Sequence, residues 1–412
     1  MIPNAKPIGH LWYTCHLMKH DLKVVVAIDS FKGSLSSMEA GAAAATGIRL
    51  ACPGARVVVR PLADGGEGTV DALVAGFGGS RRCVTVTGPA ERPVECHYGV
   101  LGDASDGSGP PVRTCILEMA GAAGITLVSD SERNPLLTTT FGVGEAIRDA
   151  VMNGCRRFIV GIGGSATNDG GAGMLQALGF GLLDRNGNPI AHGGAALASL
   201  ACITTDDVLP ELKDCRFRVA CDVTNPLCGP TGASIVFGPQ KGATPEMVGI
   251  LDAALRNFAE VTARGDAHDS ADYPGDGAAG GLGFAFRRFL NAELVRGVEL
   301  VLSETGLEDD IRETDVVVTG EGRLDAQTVM GKAPVGVAAL AKRHGKPVIA
   351  LSGCVAGNAG VVNAHGIDAF FPIAPGACTL SEALDRNNAM ANLTRTAEQA
   401  FRLLVLGMEA RR

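Results

Sequence analysis

Aromatic residues are scarce, with 14 Phe, 3 Tyr and 1 Trp among 412 residues. A core that cannot draw on large rings must be built from Val, Ile, Leu and Ala, which with 46% hydrophobic and 19% charged residues favours an α/β protein. Long basic runs are missing too, and 36 basic against 44 acidic residues leave a net charge of −8, so nucleic acid is excluded as a partner. No apolar stretch of about 18 residues is present to span a bilayer, which removes the membrane. The 12 cysteines contain no C-x-x-C pair, and the densest group (Cys215, Cys221, Cys228) is spaced too widely for a metal or redox motif. They read as small core residues of a cytoplasmic protein. Neither a G-x-x-x-x-G-K-[ST] phosphate loop nor a G-x-S-x-G nucleophile elbow occurs.

Glycine is what the chain has in excess: 56 residues, about 14% where soluble proteins average about 7%. With only 20 prolines and no three-residue period, collagen and low-complexity disorder both fail, so the glycines have local roles. At about 150 residues per domain, the length suggests two or three domains.

Short apolar runs alternate with helical patterns, the signature of β-α units around a mainly parallel sheet. Lys23–Ile28, Arg56–Arg60, Arg157–Val160, Asp315–Val318, Pro347–Leu351 and Ala369–Pro372 read as buried strands. Ser36-Ser-Met-Glu39 is a capping box opening a helix to about Leu50, and Thr244-Pro245 caps another that runs to Gly265. Between about 80 and 130, alternation such as Cys83-Val-Thr-Val-Thr87 and Val94-Glu-Cys-His-Tyr98 predicts antiparallel strands. The expected architecture is a three-layer, mainly parallel α/β domain (Rossmann-like, 23–75 and 290–412) interrupted by an inserted α/β domain with a mixed sheet (76–289). Residues 1–22 read as a disordered appendage, with Met18 the expected initiator.

Polar loops concentrate just after the strands, where open parallel sheets place ligands. Asp29-Ser-Phe-Lys32-Gly33-Ser34 offers an ammonium and a helix start to an anion; as a plain turn it would only cap. Ala63-Asp64-Gly-Gly-Glu67-Gly-Thr69 sets two carboxylates among three glycines, an oxygen donor set for Mg²⁺. Gly161-Ile-Gly163-Gly164-Ser165-Ala-Thr167-Asn168-Asp169-Gly-Gly171 reads as a glycine turn entering a helix through Leu178, a cradle for phosphates. Cys221-Asp222-Val-Thr-Asn-Pro226, Phe237-Gly-Pro-Gln-Lys241-Gly242 and Thr319-Gly-Glu321-Gly-Arg323-Leu-Asp325, with Lys332 beyond, complete the set. Only nine of the basic residues are lysines, and Lys32, Lys241 and Lys332 fall in these loops, a pattern of point charges beside phosphates. Carboxylates, ammonium groups and backbone N–H cradles are the parts of phosphoryl transfer. Gly161, Gly163 and Ala166 also match G-x-G-x-x-A with Asp184 18 residues beyond, which keeps an NAD-linked oxidoreductase open, although Asp184 reads first as part of a tight turn.

These motifs, in order from about 23 to 405, resemble the type 1 glycerate kinase family: Asp29–Leu35, Pro61–Thr69, Gly161–Met174, Cys221–Leu227, Val236–Ala243, Gly277–Gly283 and Thr319–Asp325 match its blocks. The resemblance implies ATP- and Mg²⁺-dependent phosphorylation of D-glycerate, with 2-phosphoglycerate the expected product and the active site in the cleft of a two-domain α/β structure. Within it, Gly163, Gly164, Ser165, Thr167 and Asn168 are expected at the nucleotide phosphates. Ser30, Asp64, Glu67, Arg323 and Lys332 are expected at the substrate, and Asp169, Asp222 and Glu321 at the metal. Lys32 and Lys241 would neutralise transferring charge, with Asp29 first and Asp325 second for the catalytic base. A non-catalytic glycerate or nucleotide sensor is the remaining alternative. Monomer and homodimer both stay open.

Overall fold

The computed structural model describes residues 22–63, 68–104, 112–264 and 272–410. The expected appendage therefore lies, but for Leu22, outside the described residues, as do Asp64 and Glu67. The described residues form thirteen strands. The first six are β1 (Lys23–Ile28), β2 (Arg56–Val59), β3 (Ser80–Thr87), β4 (Pro93–Ala104), β5 (Val112–Glu118) and β6 (Cys155–Gly161). They are followed by β7 (Gly181–Leu183), β8 (Cys202–Thr204), β9 (Arg216–Ala220), β10 (Glu293–Val295), β11 (Val316–Leu324), β12 (Val348–Val355) and β13 (Ala369–Pro372).

One sheet is wholly parallel, ordered β13-β12-β11-β1-β2. Helices cover both faces, as the all-apolar runs Val24–Ile28 and Val316–Val318 require. Ala40, Ala44 and Ile48 of helix Ser37–Ala51 pack with Leu393, Ala397 and Phe401 of helix Arg386–Glu409 on one side. Val337, Ala338 and Ala341 of helix Ala333–Arg343 cover the other. The first helix starts where its capping box places it: the Ser36 hydroxyl accepts from Glu39 N, and the Glu39 carboxylate accepts from Ser36 N at 2.8 Å.

Its contact with the last helix depends on one missing side chain. A Cβ on Gly47 would collide with the Thr394 carbonyl oxygen and lie 2.9 Å from Ala397 Cβ, so the two backbones touch there. Gly47→Val should cost about 1–3 kcal/mol of stability by overpacking, read from the urea midpoint; an unchanged midpoint would refute the close contact.

The second sheet has the order β10-β9-β6-β5-β4-β3, antiparallel where β3, β4 and β5 meet and parallel from β5 onward. Its main core holds Tyr98, Leu117, Phe158, Phe217, Phe258 and Phe286. The alternating texture of residues 80–118 thus becomes a half-covered antiparallel edge, and the apolar run 157–160 a central parallel strand. Strands β7 and β8 form a separate antiparallel pair. Two short elements expected in the outer unit belong with this sheet: Glu293–Val295 pairs with β9, and Val70 and Leu73 of helix Thr69–Phe77 pack on Ile116 and Ile159.

Two local expectations change. Thr319–Leu324, read as a loop, continues β11, because β12 pairs with it as far as Leu324↔Val355 and Gly320 lets the Leu351 carbonyl approach. The glycine loop after β6 does not run straight into a long helix: helix Ala172–Ala177 has only six residues, and residues 162–171 are held irregular by contacts described below.

Candidate functional site

The polar loops gather into two cavities at the carboxyl ends of the parallel strands, the expected position for ligands of open α/β sheets. The first, of about 630 Å³, is lined by Asp29, Ser30, Lys32, Glu321, Arg323 and Lys332. It follows β1 and the end of β11, and its far wall is apolar, with Ile373, Pro375, Leu380 and Leu384. The second, of about 480 Å³, follows β6 and β9 and is lined by Gly163, Gly164, Ser165, Asp222, Gln240 and Lys241.

In the first cavity Asp29 sits directly after β1, its backbone N–H bonded to the Gly320 carbonyl, and its carboxylate accepts from Ser30 N at 2.7 Å. Residues 31–35 close a tight turn, with Phe31 N donating to the Leu35 carbonyl at 2.8 Å, before the capped helix begins. Glu321 points inward from β11; its two oxygens accept from the Thr328 hydroxyl at 2.6 Å and the Lys332 ammonium at 3.1 Å. Burial pushes the Glu321 carboxyl up, opposed by those two partners. Asp325 lies outside the lining: it accepts from Gln327 N at 2.9 Å and stands 3.4 Å from the Arg323 guanidinium.

The second cavity is built on the loop after β6. Gly164 takes φ +73°, a turn that brings Ser165 into an antiparallel bridge with Gly124. Lys241, only 2% exposed, donates to the Ser165 hydroxyl at 2.7 Å and to the Thr167 carbonyl at 2.6 Å. Burial pulls its pKa from the usual 10.5 down to about 7, and the nearby Asp169 opposes that fall. Thr167 and Asn168 stand fully buried behind the wall, and among the described residues Thr167 Oγ1 and Asn168 Oδ1 have no hydrogen-bond partner. Native structures rarely leave such atoms unpaired, so this stretch is shaped by more than packing.

Asp169, read from the sequence as a metal ligand, is wholly buried. Its carboxylate accepts from Thr140 N at 2.8 Å, Thr140 Oγ1 at 2.9 Å, Gly171 N at 3.0 Å and Gly173 N at 3.3 Å. Those four donors make it the anchor that shapes the loop and starts the short helix. Asp222, by contrast, is exposed at the second cavity and accepts from Gly297 N at 2.9 Å.

The segment 272–283 supports the second cavity from below. Asp276, fully buried, is held by Arg287 through Nε at 2.8 Å and Nη2 at 2.9 Å, and Tyr273 lies 4.7 Å beneath the guanidinium. Gly280 (φ +71°) then meets the loop after β6 backbone to backbone: its carbonyl accepts from Gly170 N at 2.9 Å, and a Cβ there would strike the Thr167 carbonyl. Ala279, at φ +53°, lines the cavity in a conformation that costs a non-glycine residue about 1–2 kcal/mol.

Sequence reasoning missed several contributors. Thr140 carries no motif, although a run of three threonines (138–140) before a helix was a visible signal. Asn388 and Asn392 reach the first cavity from the last helix, whose neighbour Leu380–Leu384 opens with a legible Thr379–Glu382 capping box. The dinucleotide alternative finds no geometry: no helix starts at Gly164, and Asp184 closes its own turn by accepting from Asn186 N at 2.8 Å and Asn188 N at 2.9 Å.

Three comparisons bear on this arrangement. The model of the glycerate kinase family matches residues 24–405. A glycerate 2-kinase of Escherichia coli K12 is 47% identical over 387 residues, 94% of this chain and 99% of the relative. A glycerate kinase of Bacillus subtilis is 46% identical over 376 residues, 91% and 96% of the two chains. Among solved structures, a Salmonella typhimurium LT2 protein assigned as glycerate kinase 2 superposes with a TM-score of 0.85 at 47% identity, covering 94% of this chain and 99% of that one.

Proposed function

The chain belongs to the glycerate kinase family and is an enzyme that phosphorylates glycerate; from that premise we propose that its donor is ATP, assisted by Mg²⁺, and its acceptor the 2-hydroxyl of D-glycerate. The observation that supports this best is the sorting of the described polar loops into two cavities, which this reading assigns one to each substrate.

In this reading the ATP phosphates meet Gly163, Gly164, Ser165 and the Lys241 ammonium, where positioned donors and a cation neutralise charge as it develops. Ser30, Lys32, Arg323 and Lys332 hold glycerate, its carboxylate facing the three cations. Asp29 accepts the hydroxyl proton, since it lines the same cavity and Ser30 N fixes its orientation. Asp325 acts through Arg323, being outside the lining. Asp29→Asn with wild-type turnover would remove Asp29 from this role.

Mg²⁺ takes hard oxygen donors, and the exposed Asp222 carboxylate in the second cavity would hold it, whereas both Glu321 oxygens in the first are engaged by Thr328 and Lys332, so Glu321 leaves the metal set. When bound, it neutralises phosphate oxygens during transfer. Asp169 leaves the metal set because its carboxylate is committed to backbone and hydroxyl donors. Asp64 and Glu67, outside the described residues, remain proposed substrate contacts in this reading. No described helix is long and apolar enough to cross a membrane. The eleven described cysteines are free, and a cytoplasmic setting belongs to the same proposal.

The test is ADP release from ATP–Mg²⁺ with D-glycerate as acceptor, and no release at millimolar substrate would end the reading. Phosphorus NMR of the product separates the hydroxyls. A 2-phosphate couples to one proton and gives a doublet, a 3-phosphate to two and gives a triplet; the doublet is expected.

A further inference from the structure

We propose that Cys83, Glu95 and His97 form a surface binding site for a thiophilic divalent cation of the Zn²⁺ class. None of the three lines either cavity, so the site is separate from phosphoryl transfer.

The placement follows from strand register. Cys83 of β3 stands directly opposite His97 of β4, within a ladder running unbroken from Ser80↔Val100 to Thr87↔Pro93. Glu95 precedes His97 by two residues, so the period of the strand puts it on the same face. That face is turned to solvent: Cys83, Glu95 and His97 are exposed, whereas the intervening Cys96 is fully buried in the core beneath. Their ligand atoms, a thiol sulfur, a carboxylate oxygen and an imidazole nitrogen, all lie within 4.8 Å of one another.

Sulfur, nitrogen and oxygen together are a zinc donor set, and bond lengths of about 2.0–2.3 Å ask tetrahedral donors to stand about 3.5 Å apart. The remaining approach of about 1 Å is within the reach of exposed side chains rotating on a fixed ladder. Arg81, the nearby cation on this face, is held by Asp71 at 3.1 Å and so is drawn toward helix Thr69–Phe77. Three protein ligands leave a fourth position for water. Binding converts the Cys83 thiol to thiolate and releases one proton to the buffer.

The test uses the full chain, freed of metal by chelation and titrated with Co²⁺ under argon. The expected result is a sulfur-to-cobalt charge-transfer band in the near ultraviolet with visible bands of tetrahedral intensity, both bleached by Zn²⁺. Cys83→Ser should abolish the ultraviolet band, and His97→Ala should weaken Zn²⁺ binding by about tenfold or more. Cys202→Ser, another exposed cysteine, should change neither. Because the three side chains are exposed, the metal-free variants should unfold thermally with the wild type, which separates lost binding from lost fold. A wild-type titration without the sulfur band, or a band that survives Cys83→Ser, overturns the site.

Discussion

Lys241→Met should lower kcat/KM for glycerate phosphorylation by about 10²–10³-fold, the usual cost of removing one donor from a preorganised charge-stabilising site. The side chain is buried against Ser165 and Thr167, so methionine keeps most of its volume and loses only the ammonium. The fold should survive, because Asp169 keeps its own four donors. Kinetics and the circular dichroism melt together check this; near-normal kcat/KM would place the phosphates elsewhere.

The same lysine makes ligand binding depend on pH. With its pKa near 7, the amine is mostly neutral at pH 8, and an arriving polyphosphate favours the charged form. ATP binding at pH 8 should therefore take up as much as one proton, measurable by calorimetry in two buffers of different ionisation enthalpy, and Lys241→Met should abolish that uptake. Stability without ligand moves the other way. The folded chain holds fewer protons at this site than the unfolded chain between pH 7 and 10.5, so this contribution to stability rises with pH across that window and is lost as pH falls through 7.

Arg287→Ala should destabilise the protein by about 3–5 kcal/mol, because it takes the bidentate guanidinium away from a fully buried Asp276 carboxylate. The loss should exceed that of Arg312→Ala, whose partners are solvent-exposed and whose ion pairs are worth about 0–1 kcal/mol. The pair Asp276→Asn with Arg287→Met should recover much of the deficit, since the penalty comes from a buried charge that has lost its guanidinium. Denaturant midpoints decide it, and a double variant no better than Arg287→Ala would show that the guanidinium acts through packing on Tyr273 instead.

Much of this molecule is readable from short patterns. The Ser36–Glu39 box and the Thr244-Pro245 start appear where the sequence places them, because capping needs only residues within one turn. The buried parallel strands are equally plain, since a strand covered on both faces must be apolar throughout. Thr319–Leu324 misleads for the opposite reason: glycine, glutamate and arginine have little strand preference alone, and pairing with β12 overrides it. Asp169 misleads because a carboxylate in a glycine loop has the same one-dimensional signature as a ligand or as an anchor. Only its enclosure by Thr140 and the 171–173 amides, 29 residues away in one case, separates the two.

Composition and local spacing by themselves determined the α/β class, the strand-loop-helix rhythm and the set of polar loops, all of which depend on neighbours in the chain, and the order of the motif blocks carried the family resemblance. Tertiary structure decided which loops share a cavity, which carboxylates are buried, why burial lowers the pKa of Lys241 and how Cys83 meets His97. Those properties depend on desolvation and strand register, which act between residues the chain holds far apart.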